Sequence, residues 1–293
     1  MTQILLIPRI RVHNANALSS PYTIGFPAMT AWLGAVHALQ RHLNRDGMPE
    51  VRFAGAAVVS HSFDLQAYRG TGDFVTSIIG TGNPLDKNGN RPAFIEEARC
   101  HLIVSLAIEY QNISADDHGE ASERITKILY YKMKMAGGDI LNFGKPKFFN
   151  VDSQKMLGVL RRQLMPGYAL VERRDLMKNA MEQGQDAVAA LMDHLKVMHR
   201  CEVDENENVT WRSNRREPGW LVPIATGFHG ITEPGTALNQ RDPSIPHRFA
   251  ESIVTLGEFI MPYRVSNLDE ILWHYHVDLE NELYLCRQHN TMN

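Results

Sequence analysis

Residues 13–20 read His-Asn-Ala-Asn-Ala-Leu-Ser-Ser and follow directly on an apolar run. Asn and Ser side chains both donate and accept hydrogen bonds. Asn14, Asn16, Ser19 and Ser20 therefore have the chemistry to meet base edges and sugars of an unstacked RNA strand. Arg9 and Arg11, just before them, are suited to phosphate contacts. The competing account is a loop closed by its own Asx and Ser turns, which needs no ligand.

A second signal is charge. Between residues 127 and 178, eleven Lys and Arg stand against four Asp and Glu, a local excess of seven, and this stretch contains the Arg161-Arg162 pair. Residues 182–207 swing back to seven acids against Lys196 and Arg200. A basic face on a chain of net charge −3 is the footprint of a polyanion partner, or else a solvated helix surface with scattered lysines. Gly137-Gly138 offers bare backbone N–H groups to a phosphate, although a glycine pair also simply stops a helix.

Other chemistries lack their signatures. GTGNPLDKNG (80–89) is rich in Gly but lacks the Lys-Ser/Thr ending of a phosphate loop. No nucleophile elbow and no HExxH is present. His274 and His276 form an H-x-H pair, but the local pattern reads as helix, where i and i+2 diverge, so aromatic packing is expected rather than a metal. Histidines elsewhere, among them His13, His37, His61, His101, His118, His229 and His247, are scattered. Any of them has the chemistry of a general base, without a partner at a recognisable spacing. No cofactor is expected.

The elements that must position these residues are legible in part. ILLIPRIRV (4–12) reads as a strand, with Pro8 demanding a bulge or a break in pairing. Trp32, Leu33, Val36, Leu39 and Leu43 set a helix at 27–43. VRFAGAAVV (51–59) and HLIVSLAIEY (101–110) are strands, the second with Leu102, Val104, Leu106, Ile108 and Tyr110 on one face. Residues 62–97, with an Asn88-Gly89 turn, read as a long hairpin projecting from the body. Further helices are predicted at 119–135, 151–163, 185–200, 247–260 and from Ser266 onward, and strands at 168–172 and 218–228. Strand YALVE (168–172) then completes a β-α-β-β-α-β unit. The predicted fold class is α+β: a ferredoxin-like core over residues 1–172, a thumb at about 62–97, and an α/β appendage over 173–293.

Composition sets bounds on this. With 44% apolar and 22% charged residues, the chain has the ordinary balance of a soluble globular protein. No run approaches a membrane span. Three cysteines, Cys100, Cys201 and Cys286, are odd in number and far apart, which fits free thiols in a reducing compartment, hence the cytoplasm.

These segments carry a resemblance. IPRIRVHNANALSSPYTIGFP with GAVHALQRHL, then RPAFIEEARCHLIVSLAI, MKMAGGDIL, RRQLMPGYALV, PGWLVPI and HRFAESIVTLGEFIMPYRVSNLDEILWHYH, span nearly the whole chain. Together they closely resemble the second subunit of the type I-F CRISPR surveillance (Csy, or Cascade) complex, of the fifth Cas family. The resemblance implies an RRM-related, RAMP-type fold with a thumb hairpin and a non-catalytic role. It implies contacts to the 5′ handle of the CRISPR RNA, to the large subunit and to the first backbone subunit, with target DNA met indirectly and no membrane. Carried over residue by residue, Asn14, Asn16, Ser19 and Ser20, the Gly137-Gly138 turn, and Arg161 with Arg162 become handle contacts. Arg241, His247, Arg248 and Phe249 come with the segment around HRF. The alternatives are a RAMP-type endoribonuclease that processes CRISPR RNA and a purely structural adaptor.

Overall fold

The computed structural model describes residues 2–79, 85–91, 97–203, 208–240 and 242–289. In chain order the elements are β1 (Thr2–Asn16), β2 (Leu18–Ser20), β3 (Thr23–Ile24), α1 (Met29–Arg45), β4 (Arg52–Leu65), β5 (Ala67–Tyr68), β6 (Ser77–Ile78), β7 (Arg99–Gln111) and α2 (His118–Lys132). There follow β8 (Lys134–Met135), β9 (Gly138–Asn142), β10 (Lys147–Val151), α3 (Gln154–Leu164), β11 (Tyr168–Glu172), α4 (Arg174–Glu182) and α5 (Ala187–Leu195). The chain ends with β12 (Met198–Val203), β13 (Val209–Asn214), β14 (Leu221–Gly230), β15 (Ala250–Ile260), β16 (Trp273–Asp278) and β17 (Leu283–Gln288).

Most strands join one eleven-stranded sheet, ordered β11-β15-β14-β17-β16-β4-β7-β1-β9-β8, with β10 also on β1. Its pairings are antiparallel. The class is thus α+β around a large antiparallel sheet. No helix among the described residues is long and apolar enough to cross a membrane.

The alternation of β1 explains the layers. Leu5, Ile7, Ile10 and Val12 point to one face, where they meet the buried stripes of α1 and α2. All five predicted α1 residues, from Trp32 to Leu43, are in that stripe, and Leu102, Val104, Leu106, Ile108 and Tyr110 of β7 share the same core. Ile4 and Leu6 point to the other face, where Leu157, Leu160 and Leu164 of α3 cover them. β10 borders β1 only over Thr2–Leu6, and β9 takes over at Arg11–His13. α3 packs with that first half of β1, and the far half is not roofed in the same way.

β4 has two partners on its second edge. Ala56 pairs with Trp273 of β16, and Val59 and Ser60 pair with Ala169 and Tyr168 of β11. Because β11, β15, β14, β17 and β16 are paired in sequence, the ladder closes a circuit back to β4. Leu170, Ile224, Trp273 and Cys286 fill it. The Trp273 indole donates to the Leu170 carbonyl at 2.9 Å, so this large buried ring leaves no polar atom unmet.

Four expectations need correcting. Residues 250–260 form a strand, not a helix, and Ser266 opens short 3-10 turns followed by strand β16. The Gly pair does not stop a helix: α2 ends at Lys132, and Ala136 and Gly137, at φ 48° and 77°, form the turn between β8 and β9. The 168–172 strand pairs with β4 and β15, while β9 takes the place beside β1 that had been assigned to it. Met198–Val203 and Val209–Asn214 form a two-stranded ribbon, β12-β13, and residues 204–207 between them lie outside the described residues. Of the projecting segment 62–97, residues 80–84 and 92–96 lie outside the described residues. The predicted Asn88-Gly89 turn is present, with Asp86 accepting from the N–H groups of Asn88 and Asn90 at 2.8 Å.

Candidate nucleic-acid interface

Pro8 forecast a fault in β1, and the strand has two. Between Ile7 and Ile10 the register slips, so that Pro8 and Arg9 oppose Ser105 alone. Between Val12 and Ala15 it slips again, so that His13 and Asn14 oppose His101. Arg9 and Asn14 take φ of 54° and 59°, the left-handed values that an extra residue in a bulge can adopt. A bulge takes a backbone N–H out of the ladder. Here β7 side chains accept both: Ser105 Oγ takes the Arg9 N–H at 3.0 Å, and His101 Nδ1 takes the Asn14 N–H at 3.1 Å.

The slips keep the apolar side of β1 in register with the core while returning Arg9, Arg11 and His13 to the opposite face. All three are exposed. His13 stacks on His101 with ring centroids 4.2 Å apart and planes 15° apart. Asp139 of β9 and Ser62 and Asp64 of β4 complete an exposed polar surface around them. Sequence reasoning passed over His13 and His101. The signal was the period of two running Arg9, Arg11, His13.

Arg9 also anchors the end of α3. Its guanidinium donates to the carbonyls of Met165 and Pro166 at 3.2 and 3.3 Å, beside the cis Met165–Pro166 peptide. Arg161 and Arg162 occupy the last turn of α3, but the Arg161 guanidinium reaches back along the helix to Gln154 Oε1 at 3.5 Å, away from Arg9, and Arg162 is exposed. His61 lies next to Arg9. One neutral tautomer satisfies both ring nitrogens: Nδ1–H donates to Pro166 O, and Nε2 accepts from the Ser105 hydroxyl, each at 2.6 Å. Burial, reinforced by the nearby Arg9 cation, holds His61 below the usual imidazole range. Its ring is thus committed to joining three segments. Burial also pushes the Cys100 and Cys286 thiols up to about 12, so neither presents a thiolate at neutral pH.

The remaining loop residues split. The Asn16 amide bonds its own backbone through Leu18 N and O, each at 3.1 Å, an Asx turn. Ser19 Oγ and Ser20 Oγ both bond the Thr23 hydroxyl, at 2.9 and 2.7 Å, and Ser20 also accepts the Tyr22 N–H. Ser20 is buried, so its part is to close the β2-β3 turn. Asn14 differs: among the described residues its side chain has no hydrogen bond, and only its backbone is tied.

Asn16, Ser19 and Gly137, together with Lys134 and the small face of α1 (Ala31, Gly34, Ala38), line one open cleft of about 400 Å³. The Asn16 N–H donates to Ala136 O at 2.8 Å and so holds the two turns together. Gly138 is buried against β1: a Cβ there would lie 2.7 Å from His13 O and 2.8 Å from Ala15 N. It shapes the bulge rather than facing a ligand.

The basic stretch divides as well. Arg173 pairs with Glu258 and Asp175, and Arg174 with Glu172, so these cations are spent within the strand circuit. Arg248 pairs with Glu282 and bonds the Thr232 carbonyl. His247 bridges to Gly235, and its ring packs edge-on to Phe249 at 4.9 Å, at the tip of the β14-β15 hairpin. That tip is the end of the hairpin away from the pairing of β15 with β11. The HRF segment is therefore not brought to the bulged face by these contacts. Arg241 lies outside the described residues.

Two comparisons bear on this surface. A family model described as CRISPR-associated protein (Cas_Csy2) matches residues 5–286. The sequence is also 34% identical over 310 aligned positions to the CRISPR-associated protein Csy2 of Pseudomonas aeruginosa (strain UCBPP-PA14), covering 96% of this chain and 94% of that protein.

Proposed function

Since the chain belongs to the CRISPR-associated Csy2 family, a subunit of the type I-F Csy complex, we propose that it is a non-catalytic subunit that holds the 5′ handle of the CRISPR RNA. On this reading the large subunit shares the grip, the first backbone subunit abuts it, and target DNA is met through the guide, all in the cytoplasm. Base pairing then carries target specificity, as in other guided systems. We read the strand order β9-β1-β7-β4, with α1 and α2 on one face, as a ferredoxin-like, RAMP-type core. Residues 62–97 act as its thumb and 173–293 as an extension packed on it.

The observation that carries the proposal is the bulged face of β1. Arg9, Arg11 and the His13–His101 stack stand together there, while Asn16, Ser19 and Gly137, at the His13 end of β1, line a cleft against α1 on the helical side. Cations for phosphate and flat rings for bases are what single-stranded RNA needs from a sheet. Arg9 is tied to the carbonyls of Met165 and Pro166, and the exposed Arg162 lies one turn upstream on α3. The endoribonuclease alternative would call on a histidine as base. His61, next to Arg9, has both nitrogens engaged, and His101 Nδ1 is occupied by a backbone donor.

The test is a purified complex of this chain, the large subunit and CRISPR RNA, with wild type beside Arg11→Glu and Arg161→Glu/Arg162→Glu. The expected result is intact RNA and weaker handle binding in both variants, with the protein pair still formed. RNA cleaved by the chain alone would replace the proposal with the nuclease reading. Unchanged handle binding in both variants would leave the structural adaptor.

A further inference from the structure

α2 lies on the helical side of the sheet, away from Arg11 and His13, and its outer face is not covered. Ser122, Glu123, Thr126, Lys127 and Tyr130 recur at i, i+1, i+4, i+5 and i+8 and form one wall of a groove of about 440 Å³. Phe143 and Lys145, from the connection between β9 and β10, form the other. Tyr130 and Phe143 meet across it with ring centroids 4.6 Å apart, and Tyr131, 84% exposed, extends the aromatic surface.

The opposite wall is fixed by the first bulge. The Gly144 N–H donates to Pro8 O at 2.7 Å, and a Cβ at Gly144 would lie 2.8 Å from Pro8 Cγ. The close approach of this glycine to Pro8 sets Phe143 against Tyr130 and leaves Lys145 at the rim. The fault that turns Arg9 to one side of the sheet thus shapes this groove on the other.

The charge of the groove is one-sided. Lys127 and Lys145 are exposed and have no carboxylate within 4 Å among the described residues. Of the nearby acids, Glu120 is taken by Arg124 and Asp139 by Lys134, which leaves Glu123. Unpaired lysines flanking exposed aromatic rings are the combination that tracks a strand's phosphates and stacks its bases without reading sequence. We propose that this groove binds single-stranded nucleic acid, as a second contact separate from the bulged sheet face. Lys127 and Lys145 hold phosphates there, and Tyr130 and Tyr131 stack bases, with Phe143 backing the Tyr130 ring. An acidic protein segment could satisfy the lysines but has no use for the ring faces.

The test uses the full chain and a fluorescent oligothymidine of about twelve nucleotides, within the span of one single-strand site. Lys127→Glu/Lys145→Glu is expected to weaken binding at least about tenfold and to flatten its salt dependence. Tyr131→Ala, at a position too exposed to affect folding, is expected to weaken it about fivefold through lost stacking. With thiothymidine in the probe, photo-crosslinks should map to Tyr130, Tyr131 or Phe143. Crosslinks confined to His13 and His101 would overturn the groove while leaving the sheet-face proposal standing. If polyglutamate displaces the probe at equal charge and Tyr131→Ala has no effect, the surface serves an acidic protein instead.

Discussion

The bulged face of β1 and the strand circuit closed by β4 use the same residue types for opposite ends. On the bulged face Arg11 is exposed and, among the described residues, without a carboxylate partner, and the extra residues of two bulges leave ladder bonds unmade that Ser105 and His101 repair. In the circuit, Arg173, Arg174 and Arg248 each meet a carboxylate, and the buried Glu172 and Gln288 side chains bond each other's backbone N–H groups across β11 and β17. A cation held in a pair is part of the scaffold, whereas one left in water is available to a partner. The charge count over residues 127–178 joins both populations, and only the fold separates them.

The sharpest way to break this contrast is at Arg173. Its partner Glu258 is 7% exposed, so Arg173→Ala leaves a carboxylate stranded in the interior. Removing one member of such a pair typically costs about 3 kcal/mol. Urea unfolding should show that loss while the folded fraction binds handle RNA with wild-type affinity. A matching loss of RNA affinity would mean that the circuit is part of the grip.

A smaller effect is expected at the glycine pair, where two adjacent positions separate packing from conformation. Gly138→Ala drives a methyl into the His13 carbonyl and the Ala15 N–H, backbone atoms that cannot swing aside, and should cost about 2 kcal/mol. Gly137→Ala meets no atom within 4 Å and suffers only from its φ of 77°, about 1 kcal/mol. Only Gly138→Ala should also lower RNA affinity, because it displaces the bulge. Equal effects of the two on stability and binding would refute the assignment of Gly138 to shaping β1.

Smaller again is Arg11→Ala. It should leave the unfolding midpoint unchanged and weaken RNA binding about fivefold, with the salt slope falling by about one. Asn16→Ala should do the reverse: lose about 1 kcal/mol of stability with its Asx turn, and less affinity than Arg11→Ala. A dominant effect of Asn16 on affinity would restore the direct-contact role that the loop's internal bonding argues against.

These contrasts also mark what the sequence could reveal. α1 was legible because it buries one face only, so its period of 3.6 is clean, and β7 because its large buried apolar residues all fall on one face, with only Ser105 and Ala107 buried on the other. β15 was read as helix because Phe249, Ile253, Leu256 and Ile260 fall at helical spacing. In the sheet, buried Thr255, Leu256 and Glu258 follow one another closely, and a strand packed on both sides loses its alternation. Its Ile253, Val254 and Thr255, all β-branched, were the signal against a helix. Pro8 announced the first bulge, but nothing local announced that Ser105 and His101, some ninety residues away, would accept the orphaned donors. The Asx and Ser turns of residues 16–23 were readable as the competing account, and the structure contains them.

The last test is the mildest and uses pH to probe the seam between the two regions. His61 ties β4 to Ser105 of β7, the acceptor at the first bulge, and to the segment after α3, and burial holds its pKa below the ordinary 6.5. As pH falls through the ordinary value, the unfolded chain takes up a proton that the folded chain resists, so stability must fall. As pH rises through that window it must recover. Urea midpoints at pH 7.5 and 5.5 should show this slope in wild type and a shallower one in His61→Gln, whose amide can also bond Ser105 and Pro166. The slope shared by both proteins belongs to other groups, and the difference belongs to His61. If the difference vanished, His61 would be solvated in the folded chain, and the bulge and the α3 end would lack the buried link that sets Arg9 in place.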